Sequence, residues 1–478
     1  AMLSFVYTLL TNTIASSLEC VGLDPYVGYL HTERPGRVSL ALDMIEELRA
    51  VLADRFVLSL VNKKIVNGKN FTKKENGAVL MDAELRKKVL TEWQNKKKEE
   101  NTMIENALIR QVLSLPELIE QQYNDLEPKA RKALSTPEIF GIQRIVLTGC
   151  GDSYAAALAT KHAFEMLTNL PCEVVPAIEL SRLYSRKQLG FAPCNPLVIA
   201  VSNSGSVVRV AEAIQAARKH GAFALGVTGK RNSLLGQSVD KIMDLNIPPF
   251  ESAPGTRSYM ISVMSLLLIA IRIGEVRGCY TMDEAMDMRF DMVEQGKQLG
   301  KLLPGMCEQV YQIAEKWKDM EAYDFVGTGF DYATGWFGHA KVFEALGKYA
   351  MHINSEEWLH MNFFMRNVDK IGTIIIANTE NPAMSRNKEL IKFAHDLTRP
   401  LMVITDGGKE DFGTDTTYVK VPRSKYAINM PLTQFAPICL LCGYIMDMIG
   451  EEDGRGCKGV WKIADGARCI RESEMVVL

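Results

Sequence analysis

The chain has 478 residues, enough for roughly two to four compact domains. With 47% hydrophobic and 23% charged residues it is typical of a globular protein, which excludes a disordered or collagen-like chain. Lys and Arg number 55 against 57 Asp and Glu, so the formal charge is −2. Such a balance predicts no general attraction to nucleic acid or to an anionic membrane.

Cysteine use and apolar stretches both favour a reduced, cytoplasmic protein. The 10 Cys are scattered, and the close pair Cys439 and Cys442 lies in an apolar run typical of a packed helix. The first residues carry no basic region and no cleavage signal, so no secretory leader is expected. The longest apolar stretch, 258–271, is shorter than the 18 or so residues of a membrane span, and Arg272 ends it.

Residues 1–100 predict a separate helical segment with one polar constellation. His31 stands in a loop rich in Pro and Gly, directly before an amphipathic helix. The apolar stripe of that helix would consist of Ala41, Met44, Ile45, Leu48 and Leu52. Asp43, Glu46 and Glu47 would lie on the opposite face, where they either bind a divalent metal with His31 or form a solvated acidic surface.

A new unit begins near residue 100. Residues 96–102 are charged without an apolar period, and Met103 looks like the first residue of another gene product. Amphipathic helical sequence at 104–119 leads to a strand at 145–148, a glycine turn and a helix at 153–167. A second strand, turn and helix occupy 197–219, and a further strand covers 223–228.

The same series recurs after residue 320, which indicates an internal duplication. Gly151 and Gly329 are 178 residues apart, and Thr228 and Thr405 are 177 apart. Alternating strands and helices predict an α/β fold with two doubly wound parallel sheets. We expect a helical segment at 1–100, domains at 103–290 and 291–455, and a C-terminal tail at 456–478 that closes the site.

The turns after the first two strands are suited to bind an anion. Residues 149–153 and 202–206 place Gly and Ser where a helix begins, so backbone N–H groups, hydroxyls and the positive helix end converge. The alternative is that Gly makes the turn and Ser caps the helix. Two such turns on adjacent strands favour a phosphate. The sequence has neither a Gly-Lys-Ser/Thr nucleotide loop nor the third glycine of a dinucleotide fingerprint.

These motifs resemble the sugar isomerase (SIS) domain family, most closely the tandem isomerase half of glucosamine-6-phosphate synthase and the fructosamine-6-phosphate deglycases. The resemblance covers about residues 130–470. It assigns phosphate or substrate binding to Cys150, Gly151, Ser153, Ser202, Asn203, Ser204, Ser206 and Thr256. It also implies that residues 251–256 form a substrate loop. It assigns catalysis to Glu344, to His360 sixteen residues later, and to Lys341, and it implies a homodimer in which His360 is lent across the interface. No cofactor is implied.

The chemistry of a sugar phosphate explains why these residue types are needed. A carboxylate such as Glu344 can remove a carbon-bound proton, and His360 can shuttle the proton of ring opening near neutral pH. Lys341, three residues before Glu344 on a helix, can stabilise enediolate charge. The alternative is a surface Lys–Glu pair and a capping His. Together with two phosphate loops, the spacing favours catalysis.

The chain departs from the resembled family at three places. Val207 stands where the family's second phosphate loop ends in a Thr, and no Lys follows Lys462, so Arg468 and Arg471 are the nearest cations. An Arg cannot form a Schiff base. No glutaminase domain precedes the tandem. We therefore expect an isomerase, deaminase or deglycase of a phosphorylated keto- or amino-sugar and disfavour a glutamine-dependent synthase; a SIS module that only binds a sugar phosphate as a regulator is the alternative.

Residues 1–100 resemble the C-terminal helical domain of the CRISPR-associated spacer integrase. The resemblance places His31 and either Glu46 or Asp43 at two metal ligands, but the third, a Glu well upstream in that family, has no counterpart. The site is therefore incomplete. We expect no integrase activity and no nucleic-acid partner, and a remnant that binds nucleic acid remains the third hypothesis.

Overall fold

The computed structural model describes residues 2–31, 34, 36–74, 77, 79–102, 106–190, 196–451, 454–455 and 466–477. The chain divides into two compact units, Ala1–Thr102 and Met103–Leu478. The predicted tail at 456–478 lies outside the described residues at 456–465 and at 478, and so do Met103 and Lys462.

The first unit is mainly helical. Its elements are α1 Met2–Cys20, α2 Ser39–Leu48, a π-helical turn Arg49–Asp54, α3 Arg55–Asn62, a hairpin of β1 Phe71–Lys73 and β2 Val79–Met81, and α4 Ala83–Thr102. α1 buries one side chain per turn, namely Val6, Leu10, Ile14 and Leu18. These pack with Phe56 and Leu60 of α3 and Trp93 of α4 into one small core.

The buried face of α2 differs from the predicted stripe at two positions. Met44 is exposed, whereas Asp43 is fully buried. The reason is that the preceding loop folds back over the helix and donates backbone N–H groups to the Asp43 carboxylate. A buried carboxylate is tolerated when it is paired and hydrogen-bonded, and an apolar period cannot predict that.

The first sheet of the second unit has five parallel strands in the order β4-β3-β5-β6-β7. They are β3 Arg144–Thr148, β4 Cys172–Val174, β5 Pro196–Val201, β6 Phe223–Thr228 and β7 Lys241–Asp244. All six residues of β5 are buried, as expected where helices cover both faces of a parallel sheet. The helices are α5 Ala107–Leu113, α6 Leu115–Ala133, α7 Thr136–Gly141, α8 Asp152–Thr168, α9 Ala177–Arg182, α10 Arg186–Leu189, α11 Val208–Lys219, α12 Leu234–Ser238, α13 Arg257–Arg277 and α14 Met282–Trp317.

The second sheet repeats this topology. Its parallel strands run in the order β12-β11-β10-β8-β9, which is the same path with respect to the chain as in the first sheet. They are β8 Ala322–Val326, β9 Tyr349–Ile353, β10 Ile371–Ile376, β11 Leu401–Thr405 and β12 Thr417–Lys420. The helices are α15 Tyr332–Leu346, α16 Ser355–Met361, α17 Met384–Asp396, α18 Lys409–Phe412, α19 Ala436–Met448 and α20 Gly466–Arg471.

The two halves share one core. α8 and α13 from the first half pack with α15 and α19 from the second, and one cluster of buried residues extends through all four helices. α5 reaches the second half too, since the Asn106 side chain just before it donates to the Gly443 carbonyl at 3.2 Å. Residue 291, where the second domain was expected to begin, lies inside the 36-residue helix α14.

Two helical segments are long and apolar enough to cross a bilayer, and both are core elements. They are Arg257–Arg277, which is longer than the apolar stretch 258–271, and Ala427–Met448. Within the unit, 83% and 100% of their most apolar windows are buried. Buried core helices of a soluble protein have the same length and composition.

The continuous core predicts that the second unit folds by itself. A chain that begins at Met103 should be soluble and unfold cooperatively, with a Tm within about 4 °C of the corresponding transition in the full chain. Circular dichroism melts of both proteins measure this. An insoluble or non-cooperative Met103 chain, beside a well-behaved full chain, contradicts the prediction.

Candidate functional site

The two glycine- and serine-containing loops lie side by side at the carboxyl edge of the first sheet. β3 and β5 are neighbours, and residues 149–153 and 202–206 follow them directly. The strand order reverses between β3 and β5, because β4 lies on one side of β3 and the later strands lie beyond β5. In open α/β sheets the crevice at such a reversal is where ligands bind.

The first loop owes its shape to its glycines. Gly151 has φ +58°, and a Cβ at Gly149 would come within 2.8 Å of the Ser153 backbone. Cys150 is exposed, and Ser153 is half-buried in the first turn of α8. Among the described residues no side chain caps α8, so the expected alternative, in which serine serves as a cap, does not account for this loop.

The second loop gathers hydroxyl groups beside the start of α11. Ser202 is buried, Asn203 is exposed, and the Ser206 hydroxyl donates to the Ser204 hydroxyl at 3.0 Å. Gly205 has φ +61° and could not carry a side chain, because a Cβ there would lie 2.0 Å from Ser233 Oγ. In the described structure α11 has no side-chain cap either. Both helices therefore direct the positive ends of their dipoles at the loops, without a side-chain cap in the described chain.

A buried cation joins the first loop to the second half of the unit. Lys341 of α15 is fully buried, and its Nζ donates to Asp152 Oδ2 at 2.8 Å and to Glu344 Oε2 at 2.5 Å. Burial alone would lower the pKa of Lys341, but attraction to Asp152 and Glu344 outweighs it and raises the pKa. Lys341 therefore stays charged between two carboxylates.

Asp152 is the site residue that sequence reasoning missed. It opens α8 between Gly151 and Ser153, and burial raises its pKa to about 6, against the attraction of Lys341 and with the repulsion of Glu344. The predicted substrate loop 251–256 lies against it, since a Cβ at Gly255 would be 2.3 Å from Asp152 Oδ2. In the sequence, Asp152 is visible as an acidic residue in a glycine turn. Its partner Lys341 is 189 positions away, so the sequence does not show that the two are paired.

Thr256 and His360 have different surroundings. Thr256 is buried, and its hydroxyl lies 3.6 Å from the Cys439 sulfur of α19. His360 lies near the end of α16, and its side chain is 67% exposed. Its Nε2 is 3.1 Å from Glu356 Oε1. Within the described chain, its hydrogen-bond and ion-pair partner is Glu356, and the structure does not bring it to Glu344.

The segment that carries His360 is held from the inside by a buried carboxylate. Asp324 of β8 accepts hydrogen bonds from Trp358 Nε1 and Asn362 Nδ2, both at 3.1 Å. Arg399 stacks on the Trp358 ring and donates to the Asn362 carbonyl. These residues flank His360 on both sides, so its backbone is fixed while its ring points to solvent. Sequence reasoning did not identify Asp324.

The corresponding loops of the second sheet are filled by the chain's own carboxylates. Asp331, 178 residues after Ser153, is buried and accepts from the Asn378 backbone N–H at 3.2 Å and from the Asn381 side chain at 2.7 Å. Asp406 accepts from the N–H and the hydroxyl of Thr379, both at 2.8 Å. Internal anions thus occupy the donors that an external anion would need.

The described part of the C-terminal segment contacts α11. The Val476 N–H donates to Glu212 Oε2 at 2.7 Å, and Arg209 donates to the Ser473 hydroxyl at 3.0 Å. Since α11 begins directly after the second loop, the segment lies near the predicted phosphate site. Of the two predicted cations, Arg471 is exposed in α20. Arg468 lies in the same helix.

In the first unit, Asp43 binds the loop that precedes its helix. Its Oδ2 accepts from the N–H groups of Tyr29 and Leu30, and its Oδ1 from the N–H and the ring Nδ1 of His31. Burial opposes ionisation, but these hydrogen bonds outweigh it and hold the pKa of Asp43 well below its usual range. Glu46 is exposed and pairs with Arg49.

Of the three predicted metal ligands, His31 and Asp43 are in contact with each other, whereas the contacts described for Glu46 are with Arg49. The described residues include no group of three possible metal ligands.

Comparison with known proteins identifies relatives of both units. The family model of the CRISPR associated protein Cas1 matches residues 1–95, and that of the SIS domain matches residues 138–272. The CRISPR-associated endonuclease Cas1 2 of Rhodospirillum rubrum is 56% identical over 100 residues, which are 21% of this chain and 29% of that protein. The isomerizing glutamine–fructose-6-phosphate aminotransferase of Thermus thermophilus is 23% identical over 317 residues, 65% of this chain and 50% of that enzyme.

Solved structures share the fold of the second unit. The C-terminal domain of glucosamine-fructose-6-phosphate aminotransferase from Francisella tularensis superposes with a TM-score of 0.65 at 15% identity, covering 73% of this chain and 98% of that one. Tagatose-6-phosphate ketose/aldose isomerase from Escherichia coli gives 0.59 at 12% identity, covering 73% and 95%. The chain thus contains a SIS domain related to the aminotransferase isomerase domain, preceded by a Cas1 segment.

The Asp43 contacts predict a structural role in the first unit. Asp43→Asn should lower the Tm at which the first unit of the full chain unfolds at pH 7, whereas Glu46→Gln, an exposed control in the same helix, should not. A depressed pKa stabilises the fold above the unfolded pKa of about 3.9, so the difference should shrink as the pH falls below about 4. Differential scanning calorimetry measures it. Equal melting of wild type and Asp43→Asn at pH 7 contradicts the role.

Proposed function

We propose that residues 103–478 form a cytoplasmic, homodimeric enzyme with two SIS domains that isomerises, deaminates or deglycates a phosphorylated keto- or amino-sugar. The match to the SIS family model supports the substrate class, and so do the names of the related proteins, which contain fructose 6-phosphate and tagatose 6-phosphate. The chain spans about half the length of the aminotransferase relatives and about three tenths of the Cas1 relatives.

One observation carries the proposal: Lys341 Nζ lies 2.8 Å from Asp152, inside the first of the two loops. That contact places an acid–base cluster next to a pair of loops suited to a phosphate. A surface Lys–Glu pair, which is the simpler interpretation, would not have its cation fully buried against a glycine turn of another sheet. Burying a charge is costly and is expected where the charge has a task.

In this enzyme the loops bind the phosphate. The hydroxyls of Ser153, Ser202 and Ser204 and the backbone N–H groups of the two loops would donate to its oxygens, helped by the positive ends of α8 and α11. The other loop residues, Cys150, Gly151, Asn203 and Ser206, shape or line the same cleft. Thr256 is buried at the start of α13, next to the loop that covers Asp152.

Glu344 is the proposed base. Its carboxylate removes the proton from the sugar carbon beside the carbonyl, the bonding electrons move to the carbonyl oxygen, and the proton returns to the neighbouring carbon or assists an amine to leave. Lys341, fully buried against Asp152 and Glu344, would stabilise the enediolate through its positive charge and not by direct contact. Glu344 is half-exposed, so a bound sugar can reach it.

His360 would complete the site of the partner subunit. Its exposed ring and its fixed backbone suit a residue presented to another copy of the chain. There it would exchange the proton needed for ring opening, since one imidazole ring can both accept and donate a proton. A regulator that only binds the sugar phosphate would need the loops but neither Glu344 nor His360, and this difference makes the two functions separable.

The loop serines should determine phosphate affinity. The double variant Ser202→Ala, Ser204→Ala should weaken binding of a hexose 6-phosphate by roughly tenfold or more, because hydrogen bonds to a charged group are lost. Isothermal titration calorimetry with fructose 6-phosphate measures this, and the weak binding of free fructose should not change. Ser185→Ala is the matched control, since Ser185 caps α10. Equal loss for both sugars would assign the serines to loop structure.

Glu344→Gln should abolish turnover, by on the order of 100-fold or more, without loss of sugar-phosphate binding, because the amide keeps the shape but cannot accept the proton. Glu389→Gln, an exposed carboxylate paired with Arg386, is the control. Coupled assays for ketose, ammonia and amine release also distinguish the three reactions. A fully active Glu344→Gln variant refutes the base assignment, and binding without any turnover in the wild type favours the regulator.

The shared site predicts complementation. His360→Asn and Glu344→Gln proteins, each inactive, should regain activity when mixed under conditions of subunit exchange, because a mixed dimer contains one intact site. Native mass spectrometry confirms the exchange. Mixed dimers without activity would place His360 and Glu344 in the same subunit or remove His360 from the mechanism.

A further inference from the structure

We propose that Asp152 is a specificity-determining residue that selects phosphorylated sugars carrying an amine over those carrying a hydroxyl at the same position. The inference rests on the proposed function and narrows its substrate class. It comes from one carboxylate oxygen whose hydrogen bonding is incomplete.

The two oxygens of Asp152 have different surroundings. Oδ2 accepts from Lys341 at 2.8 Å, whereas Oδ1 is buried and has no hydrogen-bond partner among the described residues. Buried acceptors in native proteins are almost always paired, because an unmade hydrogen bond costs free energy. The Asp152 side chain is 21% exposed at the first loop, and Gly255 of the substrate loop lies against it. A bound ligand that displaces this loop becomes the natural donor to Oδ1.

The charges around Asp152 favour a cationic donor. Lys341 and Glu344 approach it from α15, Tyr259 lies near it on α13, and Cys439 on α19. Burial raises the pKa of Tyr259, and raises that of Cys439 to about 12, so both stay neutral. One cation and two ionised carboxylates leave one net negative charge. An ammonium group at Oδ1 neutralises it and a sugar hydroxyl does not.

This arrangement has a definite pH dependence. An ammonium ligand interacts with ionised Asp152, so its preference over a hydroxyl ligand should grow as the pH rises through about 6, where Asp152 loses its proton. A hydroxyl can bind either form of the carboxyl group. The phosphate titrates in the same range, but equally in both ligands, so the ratio of the two affinities isolates Asp152.

The test uses the full chain and two ligands that differ at one atom, glucosamine 6-phosphate and glucose 6-phosphate. Isothermal titration calorimetry at pH 7 should give the wild type a preference for the amine of roughly tenfold or more, the fold-change of one hydrogen bond between charged groups. The preference should fall at pH 5.5. In Asp152→Asn it should fall to about one at both pH values. Asp125→Asn, a carboxylate paired with Lys129 on α6, should leave it unchanged.

Several results overturn the inference. They are equal affinities in the wild type, a preference that does not change with pH, or a preference that survives in Asp152→Asn. Loss of both ligands in equal proportion would make Asp152 a structural residue. The wild-type pH series needs no variant, so the test holds even if Asp152→Asn fails to fold. If neither phosphosugar binds the wild type, the inference fails, and the fructose 6-phosphate titration above decides the proposed function separately; binding without discrimination removes only the role of Asp152.

Discussion

The buried contact between Lys341 and Asp152 is the constraint on which the site depends. It joins a helix of the second sheet to a turn of the first, so neither half contains the cluster by itself. A fully buried ammonium group tolerates its lost hydration only while its carboxylate partners remain in place. α8 and α15 must therefore keep a fixed separation, and the shared core of α8, α13, α15 and α19 maintains it.

The sequence was sufficient to predict the parallel α/β architecture, because buried strands and amphipathic helices leave separate patterns. The motif series recurs after residue 320 at a nearly constant distance from its first copy, and this repeat also predicted a second sheet. The second sheet follows the same strand order. That both sheets belong to SIS domains stays a proposal. What could not be predicted depends on contacts between distant residues: Asp152 with Lys341, Asp324 with Trp358, and the loop that turns Asp43 inward. Periodicity assigns faces from local neighbours and contains no information on such partners.

Of the predicted site residues, the structure brings together Ser202, Ser204 and Ser206 in one loop and Lys341 with Glu344 on one helix. It leaves His360 on the surface with Glu356. The two duplicated halves also differ in what their loop N–H groups donate to. In the described structure, helix ends without a side-chain cap occur in both halves, but in the second half Asp331 and Asp406 accept the backbone N–H groups of Asn378 and Thr379, in the loop after β10. A duplication can retain its architecture when one copy exchanges an external anion for an internal carboxylate.

The side chain of His360 faces outward, and the buried Asp324 holds the segment that carries it. In the proposed enzyme this position has a kinetic consequence. If the imidazole of His360 acts in the neighbouring subunit, dilution of the enzyme changes its turnover rate but not its affinity for the phosphosugar. An active site contained in one subunit would keep both. A lone subunit keeps both loops and the Lys341 cluster, so its affinity for a phosphosugar survives. Its rate does not, and specific activity then becomes a function of enzyme concentration, falling where dimers dissociate while the ligand remains bound.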